Sequence, residues 1–412
     1  MNTNAMVIVG AGEAGARAAS ELRARGWTGD VTMIGEERRA PYERPPLSKS
    51  QLADAKRPAP TTILSAEKLE ELNITLLSGD AAVRIDRIGH KVVLESGREV
   101  PYGKLLLATG ARPRKLPAKG DAAEEILILR TFDDALRLRE RLRPGARVAI
   151  IGGGFIGLEV AASAIAIGCD ATLVEVASRI LMRGVPEPIA AAVERRHREA
   201  GVSFRIGVMI ESVDRDGDAY RIRLADGTSV PCDVIVAGIG AVPETALAAA
   251  CGLDIENGIR VDERLRTSDP DIFAAGDCCS FPHPLYGGKR MRLEAWRNAQ
   301  DQGTLAAGNM LGDEAPYEAI PWFWSDQYDL TLQVAGMADP DNAIAQRDLG
   351  EAGRLYFHLD GEGRLVSVSG IGPTGAFAKE FRLAEMLVEK RAHPPADALA
   401  DPGVRLKELL RG

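Results

Sequence analysis

Two short, mainly apolar runs, each followed at once by glycines, are the clearest feature of the hydrophobic pattern. Residues 5–9 lead into the loop 10–15, Gly-Ala-Gly-Glu-Ala-Gly, and residues 147–151 lead into 152–157, Gly-Gly-Gly-Phe-Ile-Gly. A short apolar run bounded by glycine predicts a buried strand, and a stretch of helical length rich in small residues follows each loop. The pattern therefore predicts two strand–loop–helix units of the same kind.

Each unit continues into a second predicted strand, 31–34 or 171–174, that ends near an acid. Glu36 lies 26 residues after the first glycine of its loop, and Glu175 lies 23 residues after the first glycine of the other. In this context G-x-G-x-x-G is typical of a loop that binds a dinucleotide pyrophosphate, with the acid accepting hydrogen bonds from a ribose. For either loop alone, a glycine-rich turn without a ligand is the alternative. Two such units predict two dinucleotides.

The similarity between the two halves extends past the loops. A set of seven residues recurs at a constant spacing of 130 positions, and it consists of Leu94, Gly97, Val100, Pro101, Gly110, Ala111 and Pro113. The loops themselves are 142 positions apart, so the first half carries a net 12 extra residues. The proline-rich stretch 41–60 is the best candidate for them. This pattern predicts a duplicated domain in which one copy gained a segment.

Composition and charge narrow the possible functions. A chain of 412 residues, 45% hydrophobic and 27% charged, predicts two or three globular domains. The net charge of −8 argues against a nucleic-acid partner, and no apolar run reaches the roughly 18 residues of a membrane helix. The first residues lack the pattern of a signal peptide, and five cysteines without a C-x-x-C pair fit free thiols. We therefore expect a cytoplasmic protein without a metal site.

Five further segments carry a resemblance to a known family. They are Ala-Thr-Gly at 108–110, Ala-Ala-Gly-Asp at 274–277, Pro-Tyr-Glu-Arg-Pro-Pro-Leu-Ser-Lys at 41–49, Glu-Ala-Trp-Arg-Asn-Ala-Gln at 294–300 and Pro-Trp-Phe-Trp-Ser-Asp-Gln at 321–327. With the paired loops, they resemble the two-dinucleotide-binding-domain flavoproteins of glutathione-reductase-like fold. Within that fold the chain is similar, over essentially its whole length, to the NADH-dependent ferredoxin reductases of bacterial oxygenase systems, the putidaredoxin-reductase-like enzymes.

The resemblance implies an α/β fold with three domains. Two are Rossmann-like dinucleotide-binding domains, and the third is a C-terminal α+β domain. The FAD-binding domain is expected at 1–112 and 241–320, the NAD-binding domain at 113–240 and the C-terminal domain at 321–412.

The resemblance also assigns residues to FAD. They are Gly10, Gly12, Gly15, Glu36, Arg44, Lys49, Ala82, Thr109, Gly110, Arg130, Asp277, Trp296 and Trp324. Arg44 is expected near the pyrophosphate, and Lys49 near the flavin, where a cation stabilises the anionic reduced ring. Asp277 is expected on the ribityl hydroxyls, and the two tryptophans against the flavin. The alternatives are solvated surface charge for Arg44 and Lys49, a helix cap for Asp277 and core packing for the tryptophans.

For NAD the implied residues are Gly152, Gly154, Phe155, Ile156, Gly157, Glu159, Glu175 and Gly240. Glu159, expected in the first helical turn, matches a residue that lies by the nicotinamide in relatives; a carboxylate merely favoured at a helix N-terminus is the alternative. Glu175 predicts NADH over NADPH, because a carboxylate repels a 2′-phosphate. Arg179 or Arg183, just beyond, would soften that preference by folding back. Lys49, Glu159, Trp296 and Trp324 form the expected catalytic set.

The expected reaction moves a hydride from NADH to FAD and then single electrons to a [2Fe–2S] ferredoxin that serves a cytochrome P450 or a Rieske-type oxygenase. The chain has no cysteine motif for an iron–sulfur cluster, so the cluster must sit on a partner. Because ferredoxins are usually acidic, Lys289, Arg290 and Arg292 are the candidate docking residues. The alternative for this short basic run is solvated surface.

Three other functions compete with this interpretation. An NADH oxidase that reduces oxygen directly stays open. A thiol, coenzyme A-disulfide or peroxide reductase of the same fold needs a cysteine near the flavin in the N-terminal half, and none precedes Cys169. A redox-sensing binding protein like the apoptosis-inducing factors would need a long insertion or a basic surface, and the chain shows neither.

Overall fold

A computed structural model of the chain describes residues 4–54, 59–182 and 184–411. Its contacts divide the chain into two compact units. The first unit consists of Met1–Glu43, Pro60–Arg112 and Ala241–Ala319, and the second consists of Arg44–Ala59, Pro113–Gly240 and Ile320–Gly412. The predicted separation of residues 321–412 as a third domain stays a prediction, since these residues group here with Pro113–Gly240.

The strands are β1 (Ala5–Val9), β2 (Asp30–Gly35), β3 (Thr75–Ser78), β4 (Ala82–Asp86), β5 (Lys91–Leu94), β6 (Glu99–Pro101), β7 (Lys104–Leu107), β8 (Ala111–Pro113), β9 (Leu127–Ile128), β10 (Arg147–Ile151), β11 (Asp170–Glu175), β12 (Ser203–Ile206), β13 (Ile210–Asp216), β14 (Ala219–Leu224), β15 (Ser229–Cys232), β16 (Val234–Ala237), β17 (Ala241–Pro243), β18 (Ile259–Arg260), β19 (Ile272–Ala274), β20 (Cys279–His283), β21 (Lys289–Met291), β22 (Trp322–Gln327), β23 (Leu330–Gly336), β24 (Ala343–Asp348), β25 (Arg354–Leu359) and β26 (Leu365–Pro373).

The α-helices are α1 (Glu13–Ala24), α2 (Ser50–Ala53), α3 (Ala66–Glu71), α4 (Phe132–Arg141), α5 (Phe155–Ile167), α6 (Glu187–Glu199), α7 (Ala246–Ala250), α8 (Trp296–Met310), α9 (Ala378–Glu389), α10 (Ala396–Ala400) and α11 (Leu406–Leu409). Short 3₁₀ helices cover Pro45–Ser48, Ala123–Glu125, Pro284–Tyr286 and Gly350–Ala352.

A five-stranded parallel sheet, in the order β19-β7-β1-β2-β3, forms the centre of the first unit. All five residues of the central strand β1 are buried, as a parallel sheet covered on both faces requires. The predicted strand 5–9 is confirmed, and the predicted strand 31–34 is one residue longer at each end. Helix α1 packs against α8 so closely that a Cβ on Gly303 would lie 2.3 Å from the carbonyl oxygen of Ala14.

The second unit contains a parallel sheet of the same kind, in the order β12-β11-β10-β16-β9. The predicted strand 147–151 is confirmed as β10. Helix α5 is followed by its C-cap residue Gly168, whose φ of 92° is the left-handed conformation common at a helix C-terminus. Each unit also holds a three-stranded antiparallel sheet, β4-β5-β6 in the first and β13-β14-β15 in the second. The predicted α/β fold with two similar dinucleotide-binding domains is confirmed.

An antiparallel sheet of order β22-β23-β26-β25-β24 follows near the C-terminus, and α9 packs on it. Arg347 of β24 is almost completely buried. Its guanidinium donates hydrogen bonds to the carbonyl oxygens of Leu399 and Val404, at 3.1 and 2.5 Å. The buried charge therefore ties the last residues of the described chain to the sheet, because a buried guanidinium needs such acceptors.

Two kinds of feature are missing from the part of the chain that the structure describes. No helix in it combines the length and apolar character that crossing a membrane requires. Nor do three or more histidine, cysteine, aspartate or glutamate side chains in it converge to hold a metal ion.

Candidate active site

The first glycine of each loop lies where no side chain fits. Gly10 has a φ of +116°, and a Cβ there would lie 2.1 Å from the carbonyl oxygen of Ala108. Gly152 has a φ of +105°, and its Cβ would lie 2.5 Å from the carbonyl oxygen of Gly238. Both the left-handed backbone and the close approach therefore require glycine.

The second and third glycines of each loop have different surroundings. A Cβ on Gly15 would lie 2.0 Å from the preceding loop backbone, and one on Gly157 would lie 2.1 Å from it, so the third glycine permits close helix–strand packing. In contrast, a Cβ on Gly12 would meet no atom within 4 Å, and one on Gly154 would meet its nearest atom at 3.9 Å.

The open side of each loop carries the properties of an anion site. Gly12 and Gly154 are the N-cap residues of α1 and α5, and neither helix receives a hydrogen bond from a side chain at its cap. The first N–H groups of a helix have no partner inside the helix, and they carry the positive end of its dipole. A pyrophosphate fits both positions.

The predicted acids lie at the ends of the second strands. Glu175 is the last residue of β11, and its carboxylate accepts hydrogen bonds from the backbone N–H groups of Gly153 (2.6 Å) and Ala177 (2.7 Å). Glu36 directly follows β2 and is exposed. The Glu175 carboxylate is thus fixed beside the glycine loop of the second unit.

Arg179 and Arg183 were predicted to weaken the preference for NADH if either folded back, and the structure describes only Arg179. The Arg179 guanidinium donates to the carbonyl oxygens of Ile180 and Leu181, at 3.1 and 3.2 Å, and to that of Val185 at 3.1 Å. Its donors are therefore committed to the local backbone. Arg183 lies outside the described residues.

Three other residues predicted for the nicotinamide dinucleotide lie in the second unit, two of them within the glycine loop and the third after β16. Phe155 and Ile156 begin α5; the Phe155 ring meets Phe323 edge-on at 5.1 Å, and Ile156 is 49% exposed. Gly240 lies after β16 with a φ of +97°, and its carbonyl oxygen accepts a hydrogen bond from the Arg114 N–H at 2.9 Å.

The first unit also contains Thr109 and Gly110, which lie after β7. The Thr109 hydroxyl donates to the Glu244 carbonyl oxygen at 2.6 Å, and the Gly110 carbonyl oxygen accepts from the Glu244 N–H at 2.9 Å. The predicted residue Ala82 is the first residue of β4. These contacts position the backbone after β7 and leave the predicted roles toward FAD as predictions.

Asp277 and Trp296 lie on elements that approach the first glycine loop. Asp277 follows β19, and its neighbour Gly276 packs against Ala14 of α1, where a Cβ would lie at 3.2 Å. Trp296 is the first residue of α8 and is half-buried. Gln300, one turn further along α8, donates to the Glu13 carboxylate at 2.7 Å, which links α8 to the start of α1.

Two arginines predicted separately for FAD are in contact within the second unit. The Arg44 guanidinium donates to the carbonyl oxygen of Arg130 at 2.5 Å. The Arg130 N–H in turn donates to the carboxylate of Asp134, which with Thr131 forms a capping box at the start of α4. Arg44 is therefore anchored to the start of a helix, which the interpretation as solvated surface charge does not describe.

Glu159 is the centre of a buried polar cluster. One carboxylate oxygen accepts a hydrogen bond from the Ser48 hydroxyl at 2.5 Å, and the other accepts one from Ser325 at 2.5 Å and lies 3.1 Å from the Lys49 ammonium. Its side chain is only 7% exposed. The sequence predicted Glu159 in the first turn of its helix. Because α5 begins at Phe155, Glu159 lies in the second turn instead. It is buried and paired, and helix-terminus electrostatics alone do not explain it.

Trp324 lies beside the same cation. The Lys49 ammonium is 5.8 Å from the centroid of the Trp324 ring, within cation–π range, and the ring stacks on Trp322 at 5.4 Å. The indole N–H donates to Asp326 at 3.1 Å. Lys49, Glu159 and Trp324, three of the four predicted catalytic residues, are thus grouped in the second unit.

Several residues of this cluster had no role predicted from the sequence. The Gln327 amide donates to the Ser325 hydroxyl, and its oxygen lies 2.9 Å from Nε2 of His197, whose pKa is lowered to about 4 by burial. Ser48, Ser325 and Gln327 lie inside the segments that carried the resemblance, so their motifs were a usable signal. His197 lies in no such segment, and nothing in the sequence marked it.

The proposed docking residues differ in exposure. Lys289 is exposed. The Arg290 guanidinium donates to the carbonyl oxygens of Val261 and Ser280 and pairs with Glu256 at 3.3 Å. The Arg292 side chain is 11% exposed and pairs with Glu294 at 2.5 Å. The two arginines therefore also serve the local structure, and the docking role of all three residues stays a prediction.

The adjacent cysteines Cys278 and Cys279 are completely buried. Burial raises the pKa of both thiols, most strongly that of Cys279. A thiolate is the reactive form of cysteine, so this environment suppresses thiol chemistry at the pair.

Comparison with known proteins identifies the family. Residues 4–303 match the pyridine nucleotide-disulphide oxidoreductase family, and residues 322–410 match the reductase C-terminal family. The chain is 39% identical over 411 residues to the ferredoxin–NAD(+) reductase component of the anthranilate 1,2-dioxygenase system of Burkholderia cepacia, with 100% of both chains covered.

Two solved structures are also similar over nearly the whole chain. The ferredoxin reductase for the CYP199A2 system from Rhodopseudomonas palustris is 36% identical, with a TM-score of 0.93 and coverage of 98% of this chain and 99% of that one. The covalent putidaredoxin reductase–putidaredoxin complex is 36% identical, with a TM-score of 0.92 and coverage of 99% and 98%. The predicted family is confirmed: this chain belongs to the pyridine nucleotide-disulphide oxidoreductases, a family of enzymes, and it also carries a reductase C-terminal domain.

Proposed function

We propose that this chain is an NADH-dependent, FAD-containing ferredoxin reductase that supplies electrons to an oxygenase. The observation that carries the proposal is the presence, in each unit, of a glycine loop with an uncapped helix N-terminus and open space at its second glycine. Two such sites accept two dinucleotides, as transfer between NADH and FAD requires. The similar dioxygenase and CYP199A2 reductases support a ferredoxin as the acceptor.

FAD and NADH are the cofactors of this reaction. When bound, FAD would supply the conversion between two-electron transfer from NADH and one-electron transfer to a ferredoxin. The loop of the first unit, with Glu36, Thr109, Gly110 and Asp277, is proposed to hold FAD together with Ala82, Arg44, Arg130 and the two tryptophans. The loop of the second unit, with Phe155, Ile156, Gly240 and Glu175, is proposed to hold NADH.

The protein's contribution at the reacting end is charge and alignment. Lys49 supplies a cation that Glu159 holds at 3.1 Å, and that cation lies over the Trp324 ring. We assign Lys49 to the flavin, whose reduced ring is anionic, and Glu159 to the nicotinamide side. Trp296 and Trp324 are assigned to the flavin surface, where aromatic bulk excludes water. No proton donor or acceptor is needed for the transfer itself.

We also propose a cytoplasmic location, on the basis of the five cysteines. None of them forms a disulfide, and four are buried. Free thiols are typical of a reducing compartment, where NADH is also available. Fractionation of native cells is expected to place the NADH–ferricyanide activity with the cytoplasm; recovery with the periplasm would contradict this.

The central test of the function is electron transfer by the purified yellow protein. With NADH, a [2Fe–2S] ferredoxin and cytochrome c as the readout, we expect fast, ferredoxin-dependent turnover and slow turnover with oxygen alone. Fast consumption of NADH by oxygen, unchanged by ferredoxin, would show an NADH oxidase instead.

The same assay tests the docking residues. Because Lys289 is the exposed charge of its segment, Lys289→Glu is expected to raise the KM for ferredoxin about fivefold at low salt and to leave NADH–ferricyanide activity unchanged. Lys68→Glu on α3 is the matched control and should leave the KM unchanged. Charge reversal at Arg290 or Arg292 is less informative, since it also removes backbone hydrogen bonds. Equal KM values for Lys289→Glu and the control would exclude docking at Lys289.

The two kinds of glycine are expected to respond differently to alanine. Gly154→Ala adds a methyl group on the open side of the loop, so it should weaken NAD⁺ binding about tenfold, and because alanine is a poorer N-cap than glycine it should lower the free energy of unfolding by about 1 kcal/mol or less. Gly157→Ala puts a Cβ 2.1 Å from a backbone oxygen, so it should lower the free energy of unfolding by about 2 kcal/mol or more. Calorimetry and thermal denaturation measure the two effects. Wild-type affinity in Gly154→Ala would place the pyrophosphate elsewhere.

Glu175 is expected to set the preference for NADH. Glu175→Gln keeps one of the two oxygen acceptors, so it can hold either the Gly153 or the Ala177 N–H group. It removes the charge that repels a 2′-phosphate, so the ratio of kcat/KM for NADH to that for NADPH should fall about tenfold. Ferricyanide reduction gives both values. The matched control is Glu36→Gln at the corresponding position of the first unit, which should leave the ratio unchanged. A constant ratio in Glu175→Gln would assign the specificity to other residues.

A further inference from the structure

A chain of hydrogen bonds runs inward from the surface of the second unit and ends on Glu159. The Tyr328 hydroxyl lies 3.4 Å from Nδ1 of His197, and Nε2 of His197 lies 2.9 Å from Oε1 of Gln327. The Gln327 amide nitrogen lies 2.9 Å from the Ser325 hydroxyl, which is 2.5 Å from the Glu159 carboxylate. Glu159, Ser325, Gln327 and His197 are all buried.

The Glu159 carboxylate at the inner end determines which group donates in every hydrogen bond of this series. A carboxylate accepts hydrogen bonds and cannot donate them, so the Ser325 hydroxyl must donate to Glu159. The Ser325 oxygen is then left to accept, and the Gln327 amide must present its NH₂ group to it. The Gln327 oxygen therefore faces His197, whose Nε2 must carry the proton. Every donor in the chain thus points toward Glu159.

The titration of His197 agrees with this arrangement. Burial lowers its pKa to about 4, so the imidazole is neutral near pH 7 and has one donor and one acceptor nitrogen. Nε2 is the donor to Gln327, and Nδ1 faces the Tyr328 hydroxyl as the acceptor. A series of hydrogen bonds in which every donor points toward Glu159 requires this neutral form of the His197 ring.

The outer end of the chain is held by an unusual turn. Tyr328 occupies the turn between β22 and β23 with a φ of +60°, a left-handed conformation that costs a non-glycine residue free energy. Its ring packs against His197 at 4.9 Å, and the Arg196 guanidinium lies 4.5 Å from the ring centroid. Arg196 also pairs with Asp329 of the same turn at 2.6 Å. Helix α6 therefore fixes the turn that joins β22 to its partner strand β23.

The alternation of side chains along β22 places the hydrogen-bonded residues and Trp324 on opposite faces of the strand. Successive side chains of a strand point to opposite faces, so Ser325 and Gln327 share one face of β22 and Trp324 lies on the other. The face with Ser325 meets Glu159 and His197, and the other face carries the ring that lies near Lys49. A displacement of Ser325 would therefore also displace Trp324.

We propose that Ser325, Gln327 and His197 are positioning residues that fix the orientation of the Glu159 carboxylate, and through it that of Lys49, for the transfer between NADH and flavin. The inference rests on the proposed function, because it takes Glu159 to lie at the nicotinamide. It adds three residues that contact neither dinucleotide in this assignment. Their effect is geometric: a misplacement of about 1 Å at the reacting end costs up to about a hundredfold in rate.

The first test is spectroscopic and independent of turnover. The chain has five histidines, so long-range ¹H–¹⁵N spectra of histidine-labelled protein resolve each ring, and His197→Gln assigns the signal. We expect a single tautomer of His197 protonated on Nε2. In Ser325→Ala the Gln327 amide loses its anchor, and the spectrum should show exchange between both tautomers. A wild-type ring protonated on Nδ1, or an unchanged ring in Ser325→Ala, would overturn the proposal.

The second test separates the rate of flavin reduction from NADH binding by stopped-flow measurement on the FAD-loaded protein. Ser325→Ala should lower the limiting rate about tenfold and change the Kd for NADH less than about threefold. Ser325→Thr keeps the hydroxyl and should restore the rate. The matched control is Ser367→Ala, which removes a hydroxyl from an equally buried serine of the same sheet. Equal rates for Ser325→Ala and the control would exclude a positioning role.

A double-mutant cycle tests whether the effect passes through Glu159. In a Glu159→Ala background, Ser325→Ala should cause no further loss, since the acceptor of its hydroxyl is gone. Full additivity would overturn the proposal. So would a wild-type limiting rate in Glu159→Ala, and in that case ferredoxin reduction would continue and the proposed function would stand. Conversely, loss of the limiting rate in Ser325→Ala without any ferredoxin reduction by the wild type would leave the positioning role intact and refute the proposed function.

Discussion

Both dinucleotide loops depend on how closely the first glycine approaches the neighbouring parallel strand. In the first unit, β1 pairs with β7 so that Val9 lies opposite Leu107, and the next residues along, Gly10 and Ala108, meet with no room for a Cβ. In the second unit, Ile151 lies opposite Ala237, and Gly152 meets the residue that follows. Strand register, set by burial of the sheet, therefore also determines where each loop leaves the sheet.

The helix that follows each loop inherits this position. Since the third glycine packs against the first, the first turn of α1 or α5 is held next to the strand end, and no side chain caps its N–H groups. A larger residue at either glycine would move the helix start and the anion site together. Stability and binding are thus coupled at the first and third positions and separate at the second, where the structure leaves space.

Burial of Glu159 imposes a second constraint, and it acts over long distances in the sequence. A buried carboxylate costs several kcal/mol unless it is paired and hydrogen-bonded. Ser48 and Ser325, which satisfy it, lie 111 and 166 positions away in the chain. The proline-rich segment that contains Lys49 and the strand that contains Trp324 must therefore both be in place for this carboxylate to be tolerated. A single charge thereby orders two segments that the sequence motifs mark only separately.

The parts of the molecule that follow from local pattern could be predicted from the sequence. The strands before Gly10 and Gly152 are short, mainly apolar runs that end directly at a glycine, and the glycine spacing predicts the loop that follows. Long-range side-chain pairing could not be predicted: Arg44 and Arg130 were assigned separately and meet through a backbone carbonyl. The local contacts of Arg290 and Arg292 were equally invisible, because a sequence does not show which guanidinium binds nearby carbonyl oxygens.

Hydride and electron transfer need alignment rather than proton transfer, and this explains the kind of polar network found around Glu159. A network of neutral donors with one fixed direction supplies orientation without supplying a titrating group near pH 7, since burial keeps His197 neutral. The donors Ser325, Gln327 and His197 are buried side chains on β22 and α6, so few other rotamers are available that would break the network. Because alternate residues of β22 face Glu159 and Lys49, one strand can align both sides of the proposed reaction centre.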